Sequence, residues 1–303
     1  MKEKLTVAGI GELLWDVFPN HKRLGGAPAN FACHCNQLGA EAYPVSCVGA
    51  DPLGAGIRER LGEMGVDVRY VFESGAYPTG TVDVVLNAGK PTYQIHEDVA
   101  WDHIPYSDAL KQLAEKLDAV CFGSLSQRSG ESRGTIHAFL QHMPKDALRI
   151  FDVNLRQAFF SKQQVGESLE LANILKLSDE ELPVLAGYFG LEGDTQDQLV
   201  QLRGLFDLKL IAYTRGPEGS LVLGANEVDD FPGCEGMAVD SVGAGDSFTA
   251  ALCMGLLKGW PLSKVNAFAN KVATFVCSQK GATPVLPGHL LEYGEVNETE
   301  EVS

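Results

Sequence analysis

Residues 240–248 read Asp240-Ser241-Val242-Gly243-Ala244-Gly245-Asp246-Ser247-Phe248. The Gly-Ala-Gly core of this stretch lets consecutive backbone N–H groups turn toward one point, because little or no side chain blocks the approach. Residues 247–258 contain no proline and place apolar side chains at helical spacing, so the glycines lie where a helix begins. A helix N-terminus attracts negative charge. The stretch therefore predicts an anion-binding site.

Asp246 is the first side chain after this core that can carry a charge. A bound phosphate repels a carboxylate beside it, so this position predicts a base that acts on a second reactant. The competing interpretation is a glycine-rich turn whose aspartate caps the helix.

Composition narrows the class of protein. The chain has 303 residues, a formal charge of −16 and a pI near 4.8, which argues against nucleic acid and anionic membranes as partners. It has no run of 18 apolar residues, and its first residues lead into a strand pattern and not a signal peptide, so we expect a cytoplasmic protein. Its seven cysteines include one close pair, Cys33 and Cys35, which is poor spacing for a metal and predicts reduced thiols.

Short β-branched runs alternate with helical patterns along the chain. Residues 26–38 and 52–64 read as helices, and residues 79–86 and 92–96 read as a β-hairpin that could form a lid. The alternation predicts one α/β domain with a mostly parallel sheet, helices on both faces and ligands at the carboxyl ends of the strands. The acidic tail, residues 292–303, is predicted to fray. The predicted strands of the large sheet are residues 5–11, 44–48, 119–122, 149–153, 174–177, 210–214 and 220–223.

Three loops at predicted strand ends carry polar residues. In residues 152–156, Arg156 suits bidentate phosphate contact, although a surface salt-bridge cluster explains the loop equally well. Ser178 followed by Glu181 forms the capping box of an ordinary helix, so we expect Ser178 to cap and Glu181 to serve the site as well. Residues 214–219 join two strands, where two glycines allow close approach to a ligand or form a plain turn.

The combination of motifs resembles the pfkB family of ribokinase-like sugar kinases. The resemblance runs from Gly25-Gly26-Ala27-Pro28-Ala29-Asn30 to Lys280-Gly281-Ala282-Thr283-Pro284. Two departures stand out: Ser241 replaces a threonine of the late signature, and Ser178 replaces the asparagine of the N-x-x-E motif, which puts one phosphate or magnesium-water contact in doubt. The resemblance implies a three-layer α/β/α sandwich, with a small β-sheet lid formed roughly by residues 12–24 and 79–103.

The resemblance also implies roles for particular residues. Gly243, Ala244 and Gly245 would form the anion hole for the transferred phosphoryl group of ATP, and Asp246 would take the proton of the sugar hydroxyl. Arg156 would lie near the phosphates, with Mg²⁺ accompanying the nucleotide. The positions that match the nucleotide site are Ser178, Glu181, Thr214, Gly216, Gly219 and Asn270. Those that match a site for a monovalent cation such as K⁺, formed largely by main-chain carbonyls, are Asp240, Val242, Val276, Gln279 and Gly281.

For the acceptor, the resemblance places Asp16, Gly26 and Asn30 at sugar hydroxyls. Leu14 stands where ribokinases carry an asparagine, which argues against ribose, and the motifs around residues 11–16 and 92–102 are most similar to those of bacterial fructokinases. We therefore expect an ATP-dependent fructokinase that forms a homodimer through its lid. The alternatives are a kinase for another sugar or sugar acid, such as ribose or 2-keto-3-deoxygluconate, and a non-catalytic sugar or nucleotide sensor.

Overall fold

The computed structural model describes residues 4–87, 90–234, 236 and 238–293, with only the backbone of residues 85–87 and 90–92. Most of the predicted frayed tail therefore lies outside the described residues. The strands are β1 (Thr6–Ile10), β2 (Leu14–Phe18), β3 (His21–Gly25), β4 (Glu41–Gly49), β5 (Val71–Ser74), β6 (Gly80–Asn87), β7 (Lys90–Ile95), β8 (Ala119–Phe122), β9 (Leu148–Asp152), β10 (Ile174–Ser178), β11 (Leu210–Thr214), β12 (Ser220–Leu223) and β13 (Val228–Phe231). The helices are α1 (Ala27–Gln37), α2 (Pro52–Glu63), α3 (Asp108–Ala114), α4 (Gly130–Gln141), α5 (Lys162–Leu171), α6 (Leu182–Phe189), α7 (Thr195–Leu205), α8 (Ala244–Leu257), α9 (Leu262–Cys277) and α10 (Gly288–Leu291).

Nine strands form the large sheet, in the order β13-β12-β11-β10-β9-β8-β1-β4-β5. All neighbours pair parallel except β11 with β12 and β12 with β13, which are antiparallel. The central strands are apolar on both faces, as parallel strands covered by helices must be. The predicted sheet is confirmed, and its carboxyl edge gathers the loops that follow β1, β8, β9, β10 and β11.

Two apolar layers cover the sheet. Helices α3 to α7 bury one face around Phe122, Phe139 and Phe151, whereas α1, α8 and α9 bury the other around Phe31, Phe248 and Phe268. Successive side chains of a strand point to opposite sides of the sheet, so each strand contributes residues to both layers. The start of α8, which carries the predicted anion site, is thereby fixed against the sheet edge.

The small sheet has the order β3-β2-β6-β7, and it includes the predicted hairpin as β6 and β7. The other hairpin, β2 with β3, was anticipated only as part of the range 12–24. Val82 packs against Leu14 and Trp101, so Val82 is buried inside the chain, as is Val84, with exposed fractions of 5% and 2%. The homodimer expected through the lid would be supported by an uncovered apolar face on this hairpin, and Val82 and Val84 do not provide one.

The composition predicts no membrane-spanning segment and reduced cysteine thiols, and the fold bears on both. No helix within the described ranges is both long and apolar enough to cross a membrane. The seven cysteines are free thiols, and the described residues contain no cluster of His, Cys, Asp and Glu that could hold a metal ion. Cys33 and Cys35 are buried in α1, so they are core residues.

Candidate active site

The predicted anion site is a cradle at the start of α8. Gly243 is the N-cap residue and has a φ of 79°, the left-handed region that side chains disfavour. A Cβ at this position would lie 2.5 Å from the carbonyl oxygen of Ala282, so a larger residue would collide with backbone. The N–H of Ser247 donates the first intrahelical hydrogen bond of α8, to the carbonyl of Gly243, whereas the N–H groups of Gly245 and Asp246 belong to the first turn, which has no intrahelical acceptors for them. The cradle therefore presents two N–H groups and the positive end of a 14-residue helix.

Asp246 lies beside the cradle, in the first turn of α8. Its Oδ2 accepts a hydrogen bond of 2.8 Å from Nδ2 of Asn30 in α1. Burial raises the pKa of Asp246 to about 6, and the Asn30 amide, Lys176 and Arg156 limit that rise. A carboxylate whose pKa lies just below neutrality is ionised at pH 7 and is a better base than an exposed aspartate.

A second carboxylate, Asp16 in β2, shows a similar shift. Burial raises the pKa of Asp16 to about 6, against the opposing charges of Arg23 and Arg156. Asp16 and Leu14 point to the same face of β2, because a Cβ on Gly25 would lie 2.7 Å from Asp16 Oδ2 and 3.0 Å from Leu14 Cδ1. The apolar Leu14 therefore lies next to the predicted sugar anchor.

The two pKa values predict the acid side of the pH profile. Protonation of Asp246 would remove the predicted base, and protonation of Asp16 would remove a predicted acceptor, so we expect kcat/KM to fall as the pH drops through about 6. With two titrating groups, the slope of log kcat/KM against pH should exceed one. Asp16→Asn removes one of them and should leave residual activity with a slope of one. A flat profile between pH 5 and 7 would contradict the assignment.

Three buried polar atoms near these carboxylates have no hydrogen-bond partner in the described part of the chain, namely Glu12 Oε2, Asn30 Oδ1 and Ser126 Oγ. Burial raises the pKa of Glu12, which the N–H groups of Glu12 and Ala27 and the positive charge of Arg156 oppose. Gly26, the N-cap of α1, packs against the carbonyl of Glu12. Sequence reasoning missed Glu12 and Ser126 as site residues. Their signal was a polar side chain within four residues of the end of a buried strand, β1 for Glu12 and β8 for Ser126.

Arg156 follows β9 in a loop with two left-handed non-glycine residues, Asn154 at φ 44° and Gln157 at φ 51°. The Arg156 side chain is exposed, and its positive charge acts to lower the pKa of Glu12, Asp16 and Asp246. One cation thus faces three carboxylates. Such backbone strain is retained where the surrounding structure fixes a loop for function.

Asp152, in the same predicted loop, is buried and does not form a surface salt bridge. Its Oδ1 lies 3.0 Å from Nζ of Lys176 in β10, and its Oδ2 lies 3.0 Å from the hydroxyl of Thr249 in α8. Lys176 was missed by sequence reasoning. A single lysine within the apolar run 174–177 is the signal that could have revealed it, because a buried cation requires a partner.

The prediction that Ser178 caps a helix is wrong. Helix α6 begins at Leu182, with Glu181 as its N-cap residue. Glu181 is buried, and its oxygens accept hydrogen bonds from the N–H groups of Leu155 (2.9 Å) and Ser178 (2.8 Å). The helix starts later because Pro183 suits the first turn, where its missing N–H is not needed. Glu181 therefore fastens the Arg156 loop to the end of β10.

The other positions predicted for the nucleotide lie around β11 and α9. Thr214 ends β11, and Gly216 begins a short 3₁₀ turn with open space around it. Gly219 differs, since a Cβ there would lie 2.0 Å from the carbonyl oxygen of Phe231, so its small size serves packing within the protein. Asn270 is buried, and its amide donates to Ser220 Oγ at 2.7 Å.

The residues predicted for a monovalent cation meet at one turn. Asp240 accepts hydrogen bonds from the N–H groups of Val242 (3.1 Å) and Gly281 (3.2 Å), and the carbonyl of Val276 accepts from Gln279 (3.0 Å). Asp240 Oδ2 also lies 2.6 Å from Nη1 of Arg23 in the small sheet. Burial raises the pKa of Asp240, but these N–H groups and Arg23 outweigh it and hold the pKa below its usual value. This ion pair joins the small sheet to the segment that leads into the cradle.

A helix N-terminal anion cradle with a half-buried carboxylate beside it, on the carboxyl edge of a parallel sheet, is an arrangement suited to phosphoryl transfer onto an alcohol. Residues 6–288 match the family model described as pfkB family carbohydrate kinase. The chain belongs to this family. The predicted family and the predicted class of carbohydrate kinase are confirmed.

Relatives of similar length support the assignment. An uncharacterized sugar kinase of Pyrococcus horikoshii is 34% identical over 96% of each chain. Its crystal structure matches with a TM-score of 0.80, covering 92% of this chain and 93% of that one. A second structure of the same protein is a complex with ATP. The ATP-dependent 6-phosphofructokinase of Thermoanaerobacterium thermosaccharolyticum is 30% identical, covering 94% of this chain and 92% of the relative. A fructokinase of Klebsiella pneumoniae is 31% identical, covering 92% and 95%. The ribokinase-like fold is thereby confirmed.

Proposed function

We propose that this kinase transfers the γ-phosphoryl group of ATP to fructose and forms fructose 6-phosphate. The observation that carries the proposal is Asp246, a half-buried carboxylate with a pKa of about 6 beside the N–H groups of the cradle. Fructokinase and ATP-complexed relatives support the two substrates. A sensor on the same fold has no use for the base, so Asp246 argues against that alternative.

In the proposed reaction, Asp246 accepts the proton of the sugar hydroxyl. The freed oxygen bonds to the γ-phosphorus while the bond from that phosphorus to the bridging oxygen of ADP breaks. The N–H groups of the cradle stabilise the charge on the transferred group, which is the main demand of phosphoryl transfer. Arg156 is exposed and can reach toward the same charge. The hydrogen bond from Asn30 holds the base in place.

Mg²⁺ would accompany ATP. Both Glu181 oxygens already accept backbone N–H groups, so this carboxylate fits contact through water better than direct ligation. Mg²⁺ keeps several waters and takes phosphate oxygens of the nucleotide, which suits a site with few free carboxylates. The metal would neutralise phosphate charge during transfer.

For the sugar, the site offers Asp16 and the unpartnered atoms of Glu12, Asn30 and Ser126. Buried acceptors and a hydroxyl without partners are satisfied by a polyol, and a substrate that leaves one unpaired is penalised by roughly 1–3 kcal/mol. Leu14 adds an apolar surface beside Asp16. This arrangement supports a hydroxyl-rich sugar that makes no polar contact at residue 14.

We expect kcat/KM for fructose to exceed that for ribose by at least ~10-fold, about 1.4 kcal/mol of differential transition-state binding. A coupled assay with ATP and a panel of fructose, ribose, 2-keto-3-deoxygluconate and fructose 6-phosphate measures this. If ribose, the sugar acid or the sugar phosphate is faster, the fructose assignment is wrong although the kinase mechanism stands.

Asp16→Ala should abolish most activity with every sugar, because it removes the shared anchor. Asp83→Ala is the matched control, since it removes a carboxylate from the same sheet, one that pairs with His96 away from this anchor. We expect this control to keep its activity. Equal losses in both variants would mean that Asp16 acts only through the stability of the small sheet.

Four expectations stay predictions. We propose that the small sheet is a lid over the sugar, supported by Asp16 in β2 and by the bond from Gln157 Nε2 to the carbonyl of Tyr93 in β7 (2.7 Å). A monovalent cation at the Asp240 turn, a homodimer through the lid and a cytoplasmic location are the other three. Light scattering at micromolar concentration tests the dimer.

A further inference from the structure

Lys176 lies within the large sheet, where lysines are rare. Lys176 is only 7% exposed, and the residues on either side of it in β10, Leu175 and Leu177, are apolar. Its Nζ lies 3.0 Å from Asp152 Oδ1, and Asp152 in turn contacts Thr249 of α8. Burial lowers the pKa of Lys176, but the carboxylates of Asp152, Glu181 and Asp246 outweigh burial and raise it. The ammonium group is therefore a permanent charge.

This charge lies directly behind the anion cradle. A Cβ on Gly245 would lie 3.0 Å from Lys176 Nζ, closer than most side-chain contacts. The ammonium group therefore occupies the space that a side chain at residue 245 would need. A cation in this buried place acts on the cradle and on Asp246 with little screening by water.

Charged and polar groups face Asp246 from each element packed against it. Lys176 in β10 and Arg156 after β9 favour its ionised form, and so does the amide of Asn30 in α1. Asp152 in β9 opposes it, and the thiol of Cys121 in β8 lies within range of its charge. Lys176 is the cation of this set that the sheet holds rigidly, whereas Arg156 is on a loop.

We propose that Lys176 is a positioning residue for phosphoryl transfer: it keeps Asp246 ionised and holds a positive charge behind the cradle. This proposal rests on the proposed function. The competing explanation is purely structural, namely that Lys176 only neutralises the buried Asp152. The two explanations differ in what happens when both members of the ion pair are removed.

The first test is Lys176→Met, which keeps an unbranched side chain and removes the charge. We expect kcat at pH 7 to fall at least 10-fold, with KM for ATP and sugar changed less than threefold. The acid side of the kcat/KM profile should move upward from about pH 6, because Asp246 loses a cation and keeps Asp152. A wild-type pH profile in this variant would overturn the proposal.

The decisive variant is Asp152→Asn/Lys176→Met, which removes both charges. It leaves no unpaired buried charge, so it should fold even if Lys176→Met alone does not. We expect kcat to stay at least 10-fold below wild type, because the cradle still lacks its cation, while the pH profile returns toward the wild-type position. Recovery of wild-type kcat would show that Lys176 only neutralises Asp152 and would overturn the proposal.

Each variant is compared with wild type on whichever sugar of the panel wild type phosphorylates fastest, so a wrong sugar assignment does not affect the result. The melting temperature and the dissociation constant of ATP are measured for each variant, to separate loss of catalysis from loss of fold. A wild-type protein that phosphorylates no sugar would contradict the proposed function itself, and the Lys176 proposal with it.

Discussion

Asp246→Asn is expected to lower kcat by at least ~10²-fold, the usual effect of losing a general base, while the dissociation constant of ATP changes less than threefold. The asparagine amide has the shape of the carboxylate and can still accept from Asn30, but it cannot take a proton. The loss should therefore appear in turnover and not in binding. Steady-state kinetics and direct titration with ATP measure the two quantities separately.

The matched control is Asp194→Asn at the start of α7. Asp194 is an exposed N-cap residue, and asparagine caps equally well. This control should retain wild-type kinetics. A kcat for Asp246→Asn within threefold of wild type would rule out Asp246 as the base, whatever the control does.

Gly243→Ala should lower kcat/KM by at least ~10²-fold, because small displacements of a binding group have effects of that size. Alanine at a φ of 79° is strained by roughly 1–2 kcal/mol. In addition, its Cβ would meet the backbone of Ala282, so either the cradle or the segment after α9 must move. ATP affinity should fall together with turnover, which distinguishes this variant from Asp246→Asn.

Gly259→Ala separates strain from displacement. Gly259 follows α8 with a similar φ of 68°, but a Cβ there meets nothing within 4 Å. We expect this control to lose a similar 1–2 kcal/mol of unfolding free energy and to keep wild-type kinetics. If both variants lose activity equally, backbone strain and not the shape of the cradle accounts for the effect. Chemical denaturation and kinetics on both proteins make the comparison.

The sequence was sufficient for features that depend on local patterns. The cradle and α8 could be predicted because glycines and a 3.6-residue period occupy adjacent positions, and the large sheet could be predicted because buried parallel strands read as short apolar runs. The hairpin β6–β7 was predicted for the same reason. In each case the physical cause lies within about ten residues of chain.

Features that depend on long-range contacts were not predicted. Lys176 and Asp152 are 24 residues apart, and Arg23 and Asp240 are 217 residues apart, so no local pattern connects them. The start of α6 was mispredicted because the Ser178–Glu181 spacing fits a capping box, whereas the Glu181 carboxylate also bonds to the Arg156 loop. Burial of Val82 likewise depends on Leu14 in β2 and on Trp101, which no hairpin pattern contains.

The hydrogen bond between Asn30 and Asp246 has a consequence for biosynthesis, because its partners are 216 residues apart in the chain. At the usual speed of a ribosome, Asp246 is made roughly 10 to 40 s after Asn30. During that interval α1 and the first strands can collapse, but the base, the cradle and Ala282 behind it do not yet exist. We therefore expect a nascent chain, or one truncated before residue 282, to be catalytically silent, and the appearance of activity to report that translation and folding of nearly the whole chain are complete.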